Sequence, residues 1–171
     1  MTKPRVLLAD DHRIVAAGLE ALLAPDYELA GRAEDGRSLI ELVRATPADF
    51  VVADISMPGL NGIDALQQMR REGIEVPVVF LTMHTEPAYA RRALEAGAAG
   101  YVLKHAAPRE LLQALDIAGR GGIYVSKEIA RALDISHRTV EYHKYQAMES
   151  LGVGTNAELV KLALRLNLLS P

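Results

Sequence analysis

The feature that most limits how this chain can fold is a regular alternation between Arg5 and Ala118. Short runs rich in Val, Leu, Ile and Ala lie at Arg5–Ala9, Tyr27–Gly31, Phe50–Asp54, Pro77–Thr82 and Gly100–Leu103. Between and after them come amphipathic stretches at Ile14–Leu23, Arg37–Ala45, Ile63–Glu72, Pro87–Ala96 and Pro108–Ala118. In the second stretch Leu39, Ile40, Leu42 and Val43, with charges between them, follow a helical period. Five strands alternating with five helices predict a parallel sheet, because parallel strands need long crossovers, and helical crossovers cover both faces. The unbroken apolar character of the strands fits burial on both sides. The expected architecture is α/β, a doubly wound five-stranded parallel sheet.

Gly119, Gly121 and Gly122 close this pattern. The Ile123–Ser126 segment (residues 123–126) reads as a residual linker, and everything from Lys127 onward reads as helix: Glu128–Leu133, Ser136–Leu151 and Asn156–Leu168. Thr155-Asn156-Ala157-Glu158 has the T-x-x-E form of a capping box, which opens the last of these. The chain thus divides into an α/β body over residues 1–122 and a small all-α part over residues 127–171.

Composition removes whole classes of chemistry. There is no cysteine, which excludes disulfides, thiolate zinc sites and cysteine nucleophiles. The five histidines show no metal-ligand spacing. No apolar run approaches the roughly 20 residues of a membrane-spanning helix, and Met1-Thr2-Lys3-Pro4 leads straight into a strand-like run, so a cytoplasmic protein without membrane contact is expected. The net charge of −3 is uneven: residues 1–122 hold 13 Lys and Arg against 17 Asp and Glu, residues 123–171 hold 6 against 5. A slightly basic tail permits nucleic-acid binding without requiring it.

Ligands of a doubly wound sheet bind beyond the carboxyl ends of the strands. Here the first strand ends in Asp10-Asp11, the third in Asp54 and the fourth in Thr82, and the fifth is followed by Lys104. Three converging carboxylates repel one another and call for a cation, and an all-oxygen set favours a hard ion such as Mg²⁺. With that charge neutralised, Asp54 can act as a nucleophile toward a phosphoryl group, held by Lys104 and the Thr82 hydroxyl. Taken singly, Asp10 or Asp11 could cap the next helix, Thr82 could simply end a strand and Lys104 could be a solvated charge. Five such residues at the strand ends of one α/β unit are less easily explained that way.

These residues carry a resemblance. Residues 1–122, through Leu8-Ala9-Asp10-Asp11-His12, Asp54-Ile55-Ser56-Met57-Pro58-Gly59, Leu81-Thr82 and Tyr101-Val102-Leu103-Lys104, resemble a response-regulator receiver domain of flavodoxin-like fold. The resemblance implies that Asp54 is the phosphoacceptor and that Asp10, Asp11, Asp54 and the backbone carbonyl of Ser56 hold Mg²⁺. It further implies that Thr82 and Tyr101 form a switch pair, with Tyr101 turning inward after phosphorylation, and that Lys104 contacts the phosphate. His105 departs from the proline many receivers carry there.

In the tail, Lys127–Ser136 reads as a helix, a tight turn and an N-cap, and His137–Met148 as a second helix. Leu133, Ile135, Val140, Met148 and Leu151 can form an inner face, while positions 138, 141, 142, 144 and 145 project outward. This suggests a helix-turn-helix; the other reading is a hairpin that only packs on the body. The K-E-I-A-R-A-L-D-I-S-x-R-T-V-E-Y-H run followed by Leu151-Gly152-Val153 is similar to the DNA-binding domain of NarL/FixJ regulators, also called LuxR-type. Carried over, Thr139, Glu141, Tyr142 and Tyr145 face base edges and Arg138 and Lys144 contact phosphates. Ser150 replaces a usual lysine. The last helix can pair two protomers in that family, which implies a homodimer.

Members of that family carry a linker and a first helix before the K-E-I-A segment, whereas here Ser126 runs straight into Lys127. Without that helix the tail is expected to expose Ile129, Leu133, Val140 and its Leu-rich end, to dock on its own body or on a second chain, and to bind DNA weakly or not at all. The function expected is a regulator phosphorylated by a sensor histidine kinase and controlling transcription. The alternative is a receiver acting through protein contacts or dimerisation alone. An aspartyl-phosphate phosphatase is disfavoured, because Ser56 stands where such enzymes carry a second acid.

Overall fold

The computed structural model describes residues 2–133 together with Gly152, Gly154, Thr155 and Glu158. The strands are β1 (Arg5–Ala9), β2 (Glu28–Ala33), β3 (Phe50–Ala53), β4 (Val78–Thr82), β5 (Gly100–Leu103) and β6 (Tyr124–Val125). The helices are α1 (Arg13–Leu23), α2 (Gly36–Ala45), α3 (Gly62–Arg71), α4 (Pro87–Glu95), α5 (Ala107–Gly119) and α6 (Lys127–Ala132), with a 3-10 turn at Lys104–Ala106. All strand pairs are parallel, in the order β2-β1-β3-β4-β5-β6.

The period of two in each strand divides the core. Val6, Leu8, Phe50, Val52, Val79, Leu81 and Val102 face α1 and α5. Leu7, Ala9, Val51, Ala53, Val78, Phe80, Tyr101 and Leu103 face α2, α3 and α4. Local chemistry places the helix starts: Asp35 and Ser38 form a reciprocal capping box on α2, Asn61 caps α3 by accepting from Asp64 N–H at 2.9 Å, and Pro87 opens α4.

Two expectations need correction. The sheet has six strands, not five, and residues 123–126 are not a linker. Tyr124 and Val125 pair with Gly100 and Tyr101, and Ile123 through Ser126 are all buried. A segment with a buried aromatic on one face and a buried valine on the other joins the edge because that covers both core layers at once. The apolar strip at the start of the tail docks on its own body, one of the two expected outcomes: Ile129 and Leu133 are buried, packed with α4 residues.

The T-x-x-E box is half as expected. Glu158 N–H donates to Thr155 Oγ1 at 3.2 Å, but the Glu158 carboxylate accepts from Gly154 N–H at 3.0 Å, one residue before the cap. The helices read at Ser136–Leu151 and Asn156–Leu168 lie outside the described residues, Gly152, Gly154, Thr155 and Glu158 apart. Among the described residues no helix is long and apolar enough to cross a membrane.

Candidate functional site

β1 and β3 are neighbours at the point where the strand order reverses, and their register sets Ala9 against Ala53. The next residue on each strand is a carboxylate, so Asp10 and Asp54 stand side by side past the sheet. Backbone bonds hold them there: Asp10 N–H donates to Ala33 O at 3.1 Å and Asp54 N–H to Ala9 O at 2.8 Å. Both are buried, at 5% and 4% exposure, whereas Asp11 is open to solvent. One oxygen from each of Asp10, Asp11 and Asp54 and a ring nitrogen of His12 all lie within 4.8 Å of one another. His12 Nδ1 is 3.2 Å from Asp10 Oδ1 and 3.1 Å from Asp11 Oδ1.

Lys104 enters from the turn after β5. Its Nζ donates to Asp54 Oδ2 at 2.8 Å and pairs with Asp10 Oδ2 at 3.0 Å, with only 10% of the side chain exposed. Burial works against the ammonium charge, but hydrogen bonds to Asp54 and Asp10 and the charges of both outweigh it, so the Lys104 pKa is raised. The opposite wall is the turn after β3, where Ser56 N–H points to Asp54 Oδ1 at 3.3 Å. That turn folds back closely on Asp54: Gly62 N–H donates to Ile55 O at 2.8 Å, and a Cβ at Gly62 would lie 2.3 Å from Asp54 O. Only glycine fits that approach.

Thr82 ends β4 fully buried, and its Oγ1 accepts from His84 N–H at 3.2 Å. His84 links the wall elements. Its Nε2 is 2.6 Å from Ser56 Oγ, and its ring stacks on Tyr89 with centroids 4.0 Å apart. Its carbonyl accepts from the Tyr101 hydroxyl at 2.8 Å. Tyr101 is fully buried already, so the inward turn implied by the resemblance describes a position the phenol occupies in this structure. Burial first, then the charge of Glu86, pushes the Tyr101 pKa up.

Sequence reading therefore placed Asp10, Asp11, Asp54 and Lys104 around one pocket, with Ser56, Thr82 and Tyr101 at its edge. It missed His12 and His84. The Asp10-Asp11-His12 string signals the first; the second becomes visible only when β4 and β3 are set side by side. Arg138, Thr139, Glu141, Tyr142, Lys144 and Tyr145 lie outside the described residues.

Residues 6–116 match the response regulator receiver domain family, and residues 124–163 match the bacterial regulatory proteins of the luxR family. The chain is similar to response regulator UvrY of Escherichia coli O6:H1, 36% identical over 133 residues, covering 77% of this chain and 61% of that protein. It thus spans about three fifths of the length of the first curated relatives it matches. Transcriptional regulatory protein MctR of Rhizobium johnstonii is 32% identical over 200 residues, covering 95% of this chain and 94% of that protein. Since this alignment is longer than the 171-residue chain itself, MctR carries positions with no counterpart here. Among solved structures, a LuxR-family two-component response regulator from Aurantimonas sp. SI85-9A1 superimposes with a TM-score of 0.71 at 37% identity. That match covers 76% of this chain and 94% of the other. A sheet with paired aspartates at its switch point, a lysine bridging them and these matches lead to one conclusion: the chain belongs to the response-regulator family, as a receiver domain joined to a luxR-type segment.

Proposed function

We propose that this chain is a two-component response regulator, phosphorylated on Asp54 by a sensor histidine kinase and controlling transcription through its C-terminal helix-turn-helix. The receiver is carried by residues 1–126, β6 included, and the DNA-directed part by residues 127–171. The single observation that carries the reading is the buried Asp10–Lys104–Asp54 bridge, with Nζ 3.0 and 2.8 Å from the two carboxylates. A cation shared by two buried carboxylates at a sheet's switch point is suited to taking an added anionic group.

In the transfer, an Asp54 oxygen attacks phosphorus and the bond from phosphorus to the kinase imidazole breaks. The electron pair leaves with the imidazole, and Asp54 becomes an acyl phosphate. This adds about −1.5 to −2 charges. Lys104 Nζ is in place to follow the phosphoryl oxygens, and the Thr82 hydroxyl can leave His84 N–H to donate to them. Asp10, Asp11, Asp54 and the Ser56 carbonyl would hold Mg²⁺, which would neutralise carboxylate charge while the phosphoryl group arrives. Ser56, two positions after Asp54, is no acid, so the chain accepts a phosphoryl group without turning over outside substrates. A cytoplasmic location, a homodimer and a DNA partner complete the reading, with Arg138 and Lys144 on phosphates and Thr139, Glu141, Tyr142 and Tyr145 toward bases. The luxR-family match supports the DNA partner.

The test is acetyl-phosphate labelling of the full chain with Mg²⁺, read by intact mass. One phosphoryl group is expected on the protein and none on Asp54→Asn. Labelling that survives Asp54→Asn, or sustained hydrolysis of a phosphomonoester, refutes the reading.

A further inference from the structure

A serine and a histidine meet on the rim of the carboxylate pocket. Ser56 lies two residues past Asp54, and its N–H points to Asp54 Oδ1 at 3.3 Å, while Lys104 Nζ holds Oδ2 at 2.8 Å. Ser56 is exposed, and its Oγ is 2.6 Å from His84 Nε2. The other ring nitrogen, Nδ1, lies 3.8 Å from Glu86 Oε2. The imidazole is held in place from several sides. It stacks on Tyr89 with the rings 19° from parallel. Its backbone is bonded at both ends: the N–H donates to Thr82 Oγ1 at 3.2 Å, and the carbonyl accepts from the Tyr101 hydroxyl at 2.8 Å.

A serine hydroxyl is a weak nucleophile until a neighbouring base takes its proton. A ring nitrogen within hydrogen-bond reach of the hydroxyl is the geometry of such a base, and a carboxylate behind the ring steadies the imidazolium that forms. Here that row of Ser56, His84 and Glu86 stands beside the residue that takes the phosphoryl group. Lys104 occupies Oδ2 of Asp54, which leaves Oδ1, the oxygen that faces Ser56, to bond phosphorus. Two groups held two residues apart on one tight turn react without a bimolecular encounter, which removes much of the entropic barrier.

We propose that Ser56 is a second phosphoacceptor, which takes the phosphoryl group over from Asp54 with His84 as the base. Ser56 Oγ attacks phosphorus and its proton passes to His84 Nε2. The bond from phosphorus to the Asp54 oxygen breaks, and the electron pair stays with the Asp54 carboxylate. His84 then gives its proton to water. An aspartate, with an ordinary pKa of about 3.9, leaves phosphorus far more readily than a serine alkoxide, so transfer runs toward Ser56 and does not reverse. The product is a phosphate ester that adds about −1.5 to −2 charges at the mouth of the pocket. A short-lived acyl phosphate thereby leaves a lasting mark, whose like charge opposes a second phosphoryl group on Asp54. This inference rests on the Asp54 reading.

The test is a chase on the full chain. Acetyl phosphate and Mg²⁺ label the protein briefly, and the donor is removed by desalting. Samples taken over time are split, and one half is treated with hydroxylamine, which cleaves acyl phosphates and spares phosphoserine. Intact mass counts the phosphoryl groups, and tandem mass spectrometry locates them. The label is expected to start hydroxylamine-sensitive, on Asp54, and a resistant fraction to grow on Ser56. In His84→Gln the amide still hydrogen-bonds Ser56 but takes up no proton, so the rate of transfer per labelled Asp54 should fall about 100-fold. Ser56→Ala should yield no resistant label. Label that stays sensitive at every time overturns the proposal and leaves the Asp54 reading standing, as does resistant label on a residue other than Ser56. Transfer at the wild-type rate in His84→Gln reduces the Ser56–His84 contact to a tether between two loops and also overturns it. If the chain takes no label at all, or if Asp54→Asn acquires resistant label, both readings fall.

Discussion

Replacing Lys104 by methionine removes the cation that Asp10 and Asp54 share while keeping the length and apolar stem of the side chain. The two carboxylates are buried and lie 3.0 and 2.8 Å from Nζ. Breaking a buried pair by deleting one partner strands the remaining charge and costs about 3–5 kcal/mol. Asp11 opens one side of the pocket to water, which puts the expected loss at the lower end, about 3 kcal/mol. For a chain of this size that corresponds to a fall in Tm of roughly 6–12 °C. Urea unfolding of wild type and Lys104→Met, followed by far-ultraviolet circular dichroism in EDTA at pH 7, measures it directly. Millimolar Mg²⁺ should recover much of the loss, because the ion supplies the positive charge the variant lacks. The pH dependence has a definite sign. Folding raises the Lys104 pKa, so its contribution is complete below the ordinary lysine value of 10.5 and is lost as pH rises through the folded value. The gap between the two proteins is therefore flat from pH 7 to about 10 and narrows above that. A loss below about 1 kcal/mol, the size of a surface pair, or no recovery with Mg²⁺, would refute the account of the pocket.

Other perturbations probe other parts of the fold. Tyr101→Phe deletes the hydroxyl bonded to His84 O at 2.8 Å and should cost about 1–2 kcal/mol in the same unfolding assay; no loss would mean that this bond does not hold the loop. Ile129→Ala should cost about 3 kcal/mol, since Ile129 is fully buried; a near-zero cost would show that α6 is not docked in solution. Burial raises the pKa of Tyr101 and Tyr124 in the folded chain, so unfolding should release their protons earlier and stability should fall as pH climbs past about 10. Stability that rises over that range would contradict their burial.

Much of the pocket was legible because the doubly wound topology turns sequence position into spatial position. Any residue just past a central strand must face the same rim, so Asp10, Asp54, Thr82 and Lys104 could be placed before their neighbours were known. The contacts of His84 could not: they join the loops after β3 and β4 to a hydroxyl on β5, and no spacing along the chain records them. Tyr124–Val125 escaped notice because two residues are too few to show a period, and their pairing with β5 is a long-range contact.

The amino-acid order alone thus settled the alternation of strand and helix, the direction of the strands and the acidic rim at their ends. These follow from local hydrophobic period and from the limited ways a parallel sheet can be connected. Three-dimensional packing decided which apolar face covers which: Ile129 and Leu133 lie against α4, and Ser126 sits between β5 and α5. The physical reason is that burial has no preferred direction. An amphipathic helix carries the requirement to be covered, while the partner that covers it is set by the shape of the rest of the fold.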